Sequence, residues 1–303
     1  MSALVDLLEA ARGVVAPSLS AVVLRRGEPV FVHEPDRVYD LASLTKVLAT
    51  TELVLRAADR GALPLDAGHA LWPVGVTTRL LLQHSAGCLW WRELWHDGGR
   101  EAIYAAAREE PLVTTPGSCH TYSDLGFLCL GAALEAAGGA TVDRLLAREA
   151  EEVARRLSWG HAGAEPTEGG LVGVVHDDNA RAMGGVAPHA GLFGSAPDVA
   201  AVAQRWLDGA VPLAERAFTD RGAGSHALGW DTPSGDMSSA GPRPPTDAVG
   251  HTGFTGTSVW MSPGQGLVAV LLTNRVAYGR DPVAIRGLRH QWHQAVWDSF
   301  GAA

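Results

Sequence analysis

The sequence predicts an α/β chain of the α+β type, in which a mostly antiparallel sheet is flanked by helices and carries an inserted helical region. Two observations predict this arrangement. Short β-branched segments lie near the two ends of the chain, and the Ala- and Leu-rich segments between them have helical periodicity. Because an isolated two-stranded hairpin is marginal in water, we expect strands from both ends to join one sheet.

The chain begins with a predicted helix and a predicted hairpin. The helix is indicated by apolar residues at helical spacing, namely Leu4, Leu7, Leu8 and Ala11. A β-rich run over 18–24 is followed by a turn-like segment over 25–28 and a second apolar run over 30–33. These two runs predict the arms of a hairpin that needs further strands as partners.

The partner strands are predicted near the C-terminus. Three short β-branched segments are separated by glycine-bearing turns: 248–252, 257–262 and 267–273. A final helix then begins, with Asp281 as N-cap and Pro282 in its first turn. One face of that helix is predicted to be apolar and buried, through Ile285, Leu288, Trp292 and Val296.

The middle of the chain is predicted to be mainly helical. Helical periodicity marks the segments 43–60, 100–109, 123–137, 141–157 and 196–207. Ser195 and Asp198 match a capping box that opens the last of these helices. Glycine- and proline-bearing loops are predicted over 160–194 and 221–247.

This pattern divides the chain into two regions. Residues 1–42 and 208–303 are expected to form a sheet-plus-helix domain, and residues 43–207 a mainly helical region. A cleft between the two regions is the expected site.

Composition and charge limit the partners. The 303 residues are 47% apolar and carry a formal net charge of −9, so no basic surface for nucleic acid is expected. The first residues have no basic n-region, and no apolar run approaches the roughly 20 residues that span a bilayer. We therefore expect a cytoplasmic protein with a small-molecule substrate and with no membrane partner. The sequence leaves the oligomeric state open.

Cysteines and histidines indicate no metal centre. Cys88, Cys119 and Cys129 lack C-x-x-C spacing and are expected to be reduced thiols. The His176-Asp177-Asp178 run and the pair His290 and His293 do not match the H-E-x-x-H pattern of a hydrolytic zinc site. We expect neither a metal nor another cofactor.

Lysine usage singles out one residue. Of the 24 basic residues 23 are arginine, and Lys46 is the single lysine. Guanidinium stays charged, whereas an amine can lose its proton and act as a base. Lys46 is therefore a candidate catalytic base, with chance as the alternative explanation.

Ser43 lies three residues before Lys46, at the start of a predicted apolar helix. Residues three apart share a helix face, so the hydroxyl and the amine can meet. A partly desolvated lysine has a lowered pKa and can accept the serine proton. The alternative is an N-capping Ser43 beside a solvated Lys46, which the flanking apolar residues disfavour.

Two further motifs carry chemistry. Tyr122 precedes a predicted helix, and a tyrosine beside a cationic lysine is expected to have a depressed pKa and to shuttle protons. His251, Thr252 and Gly253 end a predicted strand, where a glycine lets a ligand approach the backbone. The alternatives are a packed or capping tyrosine and an ordinary glycine-bearing turn.

In this order, the Ser-x-x-Lys, tyrosine and His-Thr-Gly motifs resemble those of the penicillin-recognising serine hydrolases. That family comprises serine β-lactamases, DD-peptidases and related esterases, and the arrangement is closest to its class C and family VIII esterase branch. The resemblance extends to 84–87, 175–179, 189–193 and 271–275, and so spans nearly the whole chain.

The resemblance implies roles for individual residues. Ser43 would attack a carbonyl, while Lys46 and Tyr122 would share general-base and general-acid duties. The N–H groups of Ser43 and Phe254 would form the oxyanion hole, and water would hydrolyse the acyl-enzyme with help from Tyr122. The substrate would contact Asp124, His251, Thr252, Gly253 and Arg275.

Two departures from the family pattern affect the expected substrate. Asp124 stands where asparagine is usual, and its carboxylate would raise the pKa of Lys46. His251 replaces a lysine that binds the substrate carboxylate in many relatives, and Arg275 is the candidate to compensate. We therefore expect small esters or amides in preference to cell-wall peptides and β-lactams.

Three functional hypotheses follow. The first is a serine esterase or amidase, with β-lactamase or D-amino-acid carboxypeptidase or aminopeptidase activity as alternatives within it. The second is a non-catalytic penicillin-binding-like module, and the third is a metal hydrolase. The sequence leaves acyl transfer open in place of hydrolysis. It also leaves open whether three tryptophans wall an acyl pocket or belong to the core: Trp90, Trp91 and Trp95.

Overall fold

The fold is built around a five-stranded antiparallel sheet. The computed structural model describes residues 2–235 and 237–301. The strands of this sheet are β1 (Leu19–Arg25), β2 (Glu28–His33), β6 (Val249–Thr252), β7 (Ser258–Ser262) and β8 (Leu267–Thr273). Their spatial order is β2-β1-β8-β7-β6, so β1 pairs with β8 and joins strands from both ends of the chain. The predicted antiparallel sheet is confirmed.

Alternation along the strands gives the sheet two buried faces. On one face, Val22 lies opposite Val270, which in turn lies opposite Val259. On the other, Val23 and Trp260 both lie opposite Ala269. Successive side chains point to opposite sides of a strand. The same strand pairing therefore places apolar side chains in two separate cores, one on each face of the sheet.

Helices from both chain ends cover the face of the sheet that carries Trp260. These are α1 (Ser2–Ala11) and α11 (Val283–Phe300). The N-cap of α11 is Pro282, one residue later than the predicted Asp281, whose carboxylate accepts a hydrogen bond from the N–H of Val283 at 3.0 Å. The predicted apolar face of α11 is buried against this sheet: Ile285, Leu288, Trp292 and Val296.

The opposite face of the sheet packs against the helical region. The remaining helices of the described residues are α2 (Thr51–Asp59), α3 (Thr78–Leu82), α4 (Arg100–Glu109), α5 (Asp124–Gly138), α6 (Val142–Glu149), α7 (Glu151–Arg156), α8 (Asp178–Ala182), α9 (Ala196–Leu207) and α10 (Ala214–Thr219). Helix α9 lies directly on the sheet through Val199 and Val202, which belong to the same core as Val22. The Ser195 hydroxyl accepts from the N–H of Asp198, as the capping box predicts.

The structure adds elements that the sequence did not predict. A second, three-stranded sheet has the order β3-β5-β4, from β3 (Val38–Asp40), β4 (Ser158–Trp159) and β5 (Leu192–Ser195). These strands have two to four residues and are too short to show a period. The predicted loop over 160–194 was therefore wrong where it contains α8 and β5. The predicted helix over 141–157 is likewise divided into α6 and α7 at Ala150.

No individual helix in residues 2–235 and 237–301 combines the length and hydropathy needed to cross a bilayer. Two helices bent by 63° relative to each other, α5 and α6, reach that length and hydropathy only when they are taken together.

A buried ion pair joins α2 to α9. Both carboxylate oxygens of Glu52 accept from the guanidinium of Arg205, at 2.8 and 2.9 Å. Arg56 also donates to Glu52 at 2.8 Å, and the Glu52 side chain has no exposed surface. Because the bidentate pair satisfies most of the buried charge of Glu52 and Arg205, it fixes how the two helices meet.

We therefore expect Glu52→Ala to lower the free energy of unfolding by about 3 kcal/mol, because the buried Arg205 guanidinium keeps only Glu152, at 3.2 Å, as a carboxylate partner. Urea denaturation followed by circular dichroism measures the loss. Glu151→Ala is the matched control, since Glu151 is 72% exposed and lies 3.9 Å from Arg155. The control should cost less than about 1 kcal/mol. Equal losses in the two variants would show that the ion pair does not stabilise the fold.

Candidate active site

One cavity collects most of the residues that the motifs predicted. It has a volume of about 660 Å³ and opens between the end of β6 and the helical region. Its lining contains Ser43, Tyr122, Asp124, His251, Thr252, Gly253, Phe254 and Arg275. Lys46 lies beneath the surface of the cavity and contacts Ser43. The structure thus brings all nine predicted site residues together.

The backbone before Ser43 is held in a strained conformation. Ala42 has φ of 47°, a left-handed value that is unusual for alanine. The buried carboxylate of Asp40 accepts from the N–H of Ala42 at 2.8 Å and from the N–H of His176 at 2.7 Å. The hydroxyl of Thr257 donates to the carbonyl of Leu41 at 3.1 Å. These contacts fix the direction in which Ser43 enters the cavity.

Lys46 begins a π-helical turn, Lys46–Thr50, that continues into α2. Its ammonium donates to Ser43 Oγ at 2.8 Å and to the carbonyl of His189 at 3.3 Å. Its third contact is with Asp124 Oδ1 at 2.7 Å. Three partners satisfy the three N–H bonds of an ammonium, and the Lys46 side chain has no exposed surface.

Tyr122 is positioned by the start of α5. The Ser123 hydroxyl caps that helix by accepting from the N–H of Gly126 at 3.0 Å. This cap leaves Tyr122 just before the helix and Asp124 in its first turn, so both side chains reach the lysine. Lys46 Nζ lies 5.0 Å from the centre of the Tyr122 ring. Ser43 and Lys46 are three residues apart in the sequence, whereas Tyr122 and Asp124 belong to a remote segment.

Two main-chain N–H groups point to an anion site. Within the described residues, the N–H groups of Ser43 and Phe254 have no hydrogen-bond acceptor. Both residues line the cavity. Free donors on two residues that line one cavity match the oxyanion hole that the resemblance implied.

Two arginines hold the turn that carries Phe254. Arg275 donates to the Phe254 carbonyl from Nε at 2.9 Å and from Nη2 at 2.6 Å. Arg289 donates to the Gly253 carbonyl at 2.6 Å. A side chain at Gly253 would place its Cβ 2.6 Å from the carbonyl oxygen of Leu41, so the close approach requires glycine.

The contacts of Arg275 change the interpretation of that residue. Its Nη1 also donates to the carbonyls of Gly279 and Asp281, both at 3.3 Å. Every nitrogen of the guanidinium therefore has a main-chain partner, and Arg275 positions the Phe254 turn. Its contact with substrate remains a prediction. Arg286 also lines the cavity, and within the described residues its guanidinium has no ion-pair or hydrogen-bond partner.

Four histidines lie together beside Tyr122. The rings of His84, His226 and His251 lie 4.5, 5.7 and 5.8 Å from the Tyr122 ring. His120 Nε2 is 3.0 Å from His226 Nδ1. Both ring nitrogens of His251 are buried without a hydrogen-bond partner in the part of the chain that the structure describes.

Three of these histidines, His84, His226 and His251, can each bring one nitrogen within 4.8 Å of the others, a spacing compatible with a metal ion. One hydrogen bond argues against that use. The N–H of Ser123 donates to His84 Nδ1 at 3.0 Å, which places the proton of the neutral ring on Nε2. A protonated nitrogen donates a hydrogen bond and does not ligate a metal. Of this cluster, His226 and His251 line the cavity.

Comparison with known protein families identifies the family of this chain. A family model described as Beta-lactamase matches residues 5–291. The chain belongs to the Beta-lactamase family. It is accordingly a serine hydrolase of that family, with a small-molecule substrate.

Individual relatives agree with this membership. An Escherichia coli (strain K12) protein, named provisionally as a D-alanyl-D-alanine carboxypeptidase, is 28% identical across 78% of this chain and 69% of its own length. A Bacillus subtilis (strain 168) protein named N-acetylmuramyl-L-alanine amidase is 26% identical across 78% of this chain and 68% of its own length. Among solved structures, the hydrolase EstCE1 superposes with a TM-score of 0.76 at 18% identity, over 95% of this chain and 98% of its own. This last likeness supports the fold.

Electrostatics in this Beta-lactamase-family site differ from the sequence-based expectation for Lys46. Burial acts to lower the pKa of Lys46, as predicted, but the Asp124 carboxylate at 2.7 Å acts in the opposite direction. The net effect raises the pKa of Lys46 above its ordinary value. The predicted lowered pKa is thus wrong for the resting enzyme. The predicted effect of Asp124 on the lysine is confirmed.

The pKa of Tyr122 also differs from the prediction. Burial of the ring raises the pKa, and Lys46 only partly offsets this effect. Tyr122 is therefore a neutral phenol at pH 7, and the expected depressed pKa was wrong. Burial likewise lowers the pKa of His251 well below its ordinary value, so its ring is uncharged. Tyr122 is a proton donor in this state, and His251 is not a cationic anchor.

Sequence reasoning missed a set of supporting residues. Asp40 was not singled out, although burial raises its pKa to about 6 and its carboxylate orients Ala42. Asp177 and His189 form a pair at 2.9 Å behind Lys46, and the carbonyl of His189 accepts from the lysine. Asp40 lies only three residues before Ser43, whereas the tertiary fold brings Asp177 and His189 to Lys46.

The Lys46–Asp124 contact generates a prediction about pH dependence. Asp124→Asn removes the carboxylate that raises the pKa of Lys46, while the lowering effect of burial stays. The pKa of Lys46 should then fall, and the uncharged fraction at pH 7 should rise. We expect the alkaline rise of kcat/KM to move to lower pH by about 1 unit or more.

The measurement is kcat/KM for an uncharged ester between pH 5 and 10. Asp178→Asn is the matched control, because Asp178 lines the same cavity but pairs with Arg181. Its profile should match that of the wild type. If Asp124→Asn instead loses activity at every pH without a shift, Asp124 itself is the proton acceptor.

Proposed function

We propose that this hydrolase cleaves a small ester or amide through an acyl-enzyme on Ser43. The observation that carries the proposal is the 2.8 Å contact between Lys46 Nζ and Ser43 Oγ at the floor of a cavity. The cavity also presents the two unpaired N–H groups of Ser43 and Phe254. A base, a nucleophile and an anion site are thus adjacent.

Acylation begins when the unprotonated form of Lys46 accepts the Ser43 proton. Ser43 Oγ then bonds to the substrate carbonyl carbon, and the carbonyl oxygen takes up negative charge facing the N–H groups of Ser43 and Phe254. Tyr122, a neutral phenol, donates its proton to the departing alcohol or amine as the scissile bond breaks. The protonated Lys46 then returns a proton to the Tyr122 oxygen.

Deacylation uses the same groups in reverse. Tyr122 first passes its phenol proton to the unprotonated Lys46. Water takes the place of the leaving group, and the Tyr122 phenolate accepts a proton from it as the water oxygen bonds to the acyl carbon. The tetrahedral intermediate again faces the two N–H groups, and Ser43 Oγ departs with a proton from Lys46. A cleft that excludes water in favour of an alcohol or amine would give acyl transfer instead.

The neutral histidines support an uncharged group on the leaving side of the substrate. His226, whose pKa burial lowers to about 3, and His251 provide hydrogen-bonding nitrogens without charge. A second candidate is cleavage of D-alanyl peptides, as in the name of the Escherichia coli relative. Arg286 favours this candidate, because its free guanidinium in the cavity suits a carboxylate.

Ser43→Ala should abolish covalent labelling by a fluorophosphonate and should reduce ester hydrolysis by several orders of magnitude, since the nucleophile and its base act as a unit. Intact-protein mass spectrometry detects the adduct. Ser118→Ala, which changes an exposed serine outside the cavity, should label like the wild type. Normal turnover by a folded Ser43→Ala variant would overturn the proposal. Parallel incubation with a penicillin tests β-lactam recognition.

Lys46→Arg should be nearly as damaging although it keeps the positive charge, because guanidinium cannot accept the Ser43 proton. We expect hydrolysis by this variant to stay low up to pH 10, while the wild-type rate rises with pH. Stopped assays over the same pH range, with folding checked by circular dichroism, provide the measurement. An arginine variant with a wild-type pH profile would exclude Lys46 as the base.

A further inference from the structure

A row of tryptophans forms the rim of the cavity. The tryptophan loop, residues 89–96, carries Trp90, Trp91 and Trp95. The ring centres of Trp90 and Trp91 are 5.6 Å apart, and those of Trp91 and Trp95 are 5.7 Å apart. Trp90 and Trp91 line the same cavity as Ser43.

These rings are not core side chains. Trp90 is 59% exposed, and Trp91 and Trp95 are partly exposed. Leu94, in the same loop, is fully buried and anchors the loop to the helical region. Because a tryptophan gains much free energy from burial, an exposed row at a cavity needs an explanation that packing does not give.

The backbone of the tryptophan loop is firmly held. At its start, the N–H of Asp124 donates to the Trp90 carbonyl at 2.9 Å, and the Ser123 hydroxyl donates to the Leu89 carbonyl at 2.6 Å. Further along, the side-chain amide of Asn179 accepts from the N–H of Leu94 and donates to the Arg92 carbonyl, each at 2.9 Å. Asn179 has no exposed surface.

This arrangement is typical of a prepared binding surface. Ligand binding does not have to order the loop, because four hydrogen bonds already fix its backbone, so the entropic cost of binding is lower. The bonds through Ser123 and Asp124 also tie the tryptophans to the segment that contacts Lys46. A ring bound on Trp90 and Trp91 would therefore be held in a fixed position relative to Ser43.

An opposing aromatic residue extends the apolar surface. Phe254 is 47% exposed, lines the cavity and stacks on His176 with ring centres 5.6 Å apart. Two apolar residues near the start of α11, Pro282 and Ile285, line the cavity as well. Aromatic and aliphatic surface in one cavity favours a planar apolar group over a sugar, which would also require several polar contacts.

The position of Tyr122 decides which part of the substrate meets this surface. In the proposed function, on which this inference rests, Tyr122 protonates the leaving group. Its ring lies against His226 and His251, so the leaving group occupies the histidine end of the cavity. The acyl group then extends from the carbonyl carbon towards Trp90 and Trp91.

We propose that Trp90 and Trp91 form an acyl-specificity subsite that takes an aromatic or bulky apolar acyl group. The preferred substrates are then arylacyl esters or amides, and short acyl groups are poor substrates. Trp95 supports Trp91 from outside the cavity.

Two series of esters test this subsite. In the first, the leaving group is p-nitrophenol and the acyl group is acetyl, phenylacetyl or 3-phenylpropionyl. In the second, the acyl group is acetyl and the leaving phenol varies in size. The wild type should prefer phenylacetyl over acetyl by about tenfold or more in kcat/KM. It should show a weaker preference among the leaving groups.

Variants of the subsite locate the preference. Trp90→Ala and Trp91→Ala should each reduce the phenylacetyl-to-acetyl ratio at least threefold, and Trp90→Phe should restore most of it. Tyr278→Ala is the control, because Tyr278 is a 56% exposed aromatic residue that does not line the cavity. It should leave the ratio unchanged.

The outcomes separate this inference from the proposed function. Fluorophosphonate labelling of Ser43 in each variant reports the nucleophile and the fold, independently of acyl preference. A wild-type ratio near one, or alanine variants that keep the wild-type ratio while labelling normally, would overturn the subsite alone. A change confined to the leaving-group series would overturn its assignment to the acyl side. Absence of labelling in the wild type would overturn the proposed function instead.

Discussion

The site depends on burying one ammonium group. Lys46 has no exposed surface, so each of its N–H bonds needs an acceptor from the protein. The acceptors come from three separate segments: the turn at Ser43, the start of α5 at Asp124 and the carbonyl of His189. Any displacement of one segment would leave part of a buried charge unpaired. The energetic need to satisfy this cation therefore also aligns the groups of the active site.

A second constraint fixes the opposite wall. The N–H groups of Ser43 and Phe254 come from different regions of the chain. Buried polar groups hold the backbone at each of these two residues. Asp40 orients Ala42 on one side, while Arg275 and Arg289 hold the carbonyls of the Phe254 turn on the other. Burial lowers the pKa of Arg289 to about 9, because a buried site disfavours the charged guanidinium. Positioning groups of this kind keep the anion site open without substrate.

The ends of the cavity differ in chemistry. Beside Tyr122, neutral imidazoles offer hydrogen bonds without charge, whereas the tryptophan loop offers apolar surface. Asp124 connects the two, because its carboxylate contacts Lys46 and its N–H donates to the Trp90 carbonyl. Asp124, one of the two residues that depart from the family pattern, thus lies between Lys46 and the tryptophan loop. The proposed acyl subsite and the proposed proton-transfer groups are therefore held by the same short segment.

The sequence by itself determined the sheet, the order of most helices and the family, because these depend on local periodicity and on residues close together in the chain. The spacing of Ser43 and Lys46 puts the two on one helical turn whatever surrounds them. The strands β3, β4 and β5 were not predicted, because they have too few residues to show the alternation of apolar and polar residues that marks a strand. The tertiary structure alone decided the charge on Lys46, the neutral state of Tyr122 and the main-chain partners of Arg275. These properties depend on burial and on distances to remote groups such as Asp124, which sequence spacing does not encode.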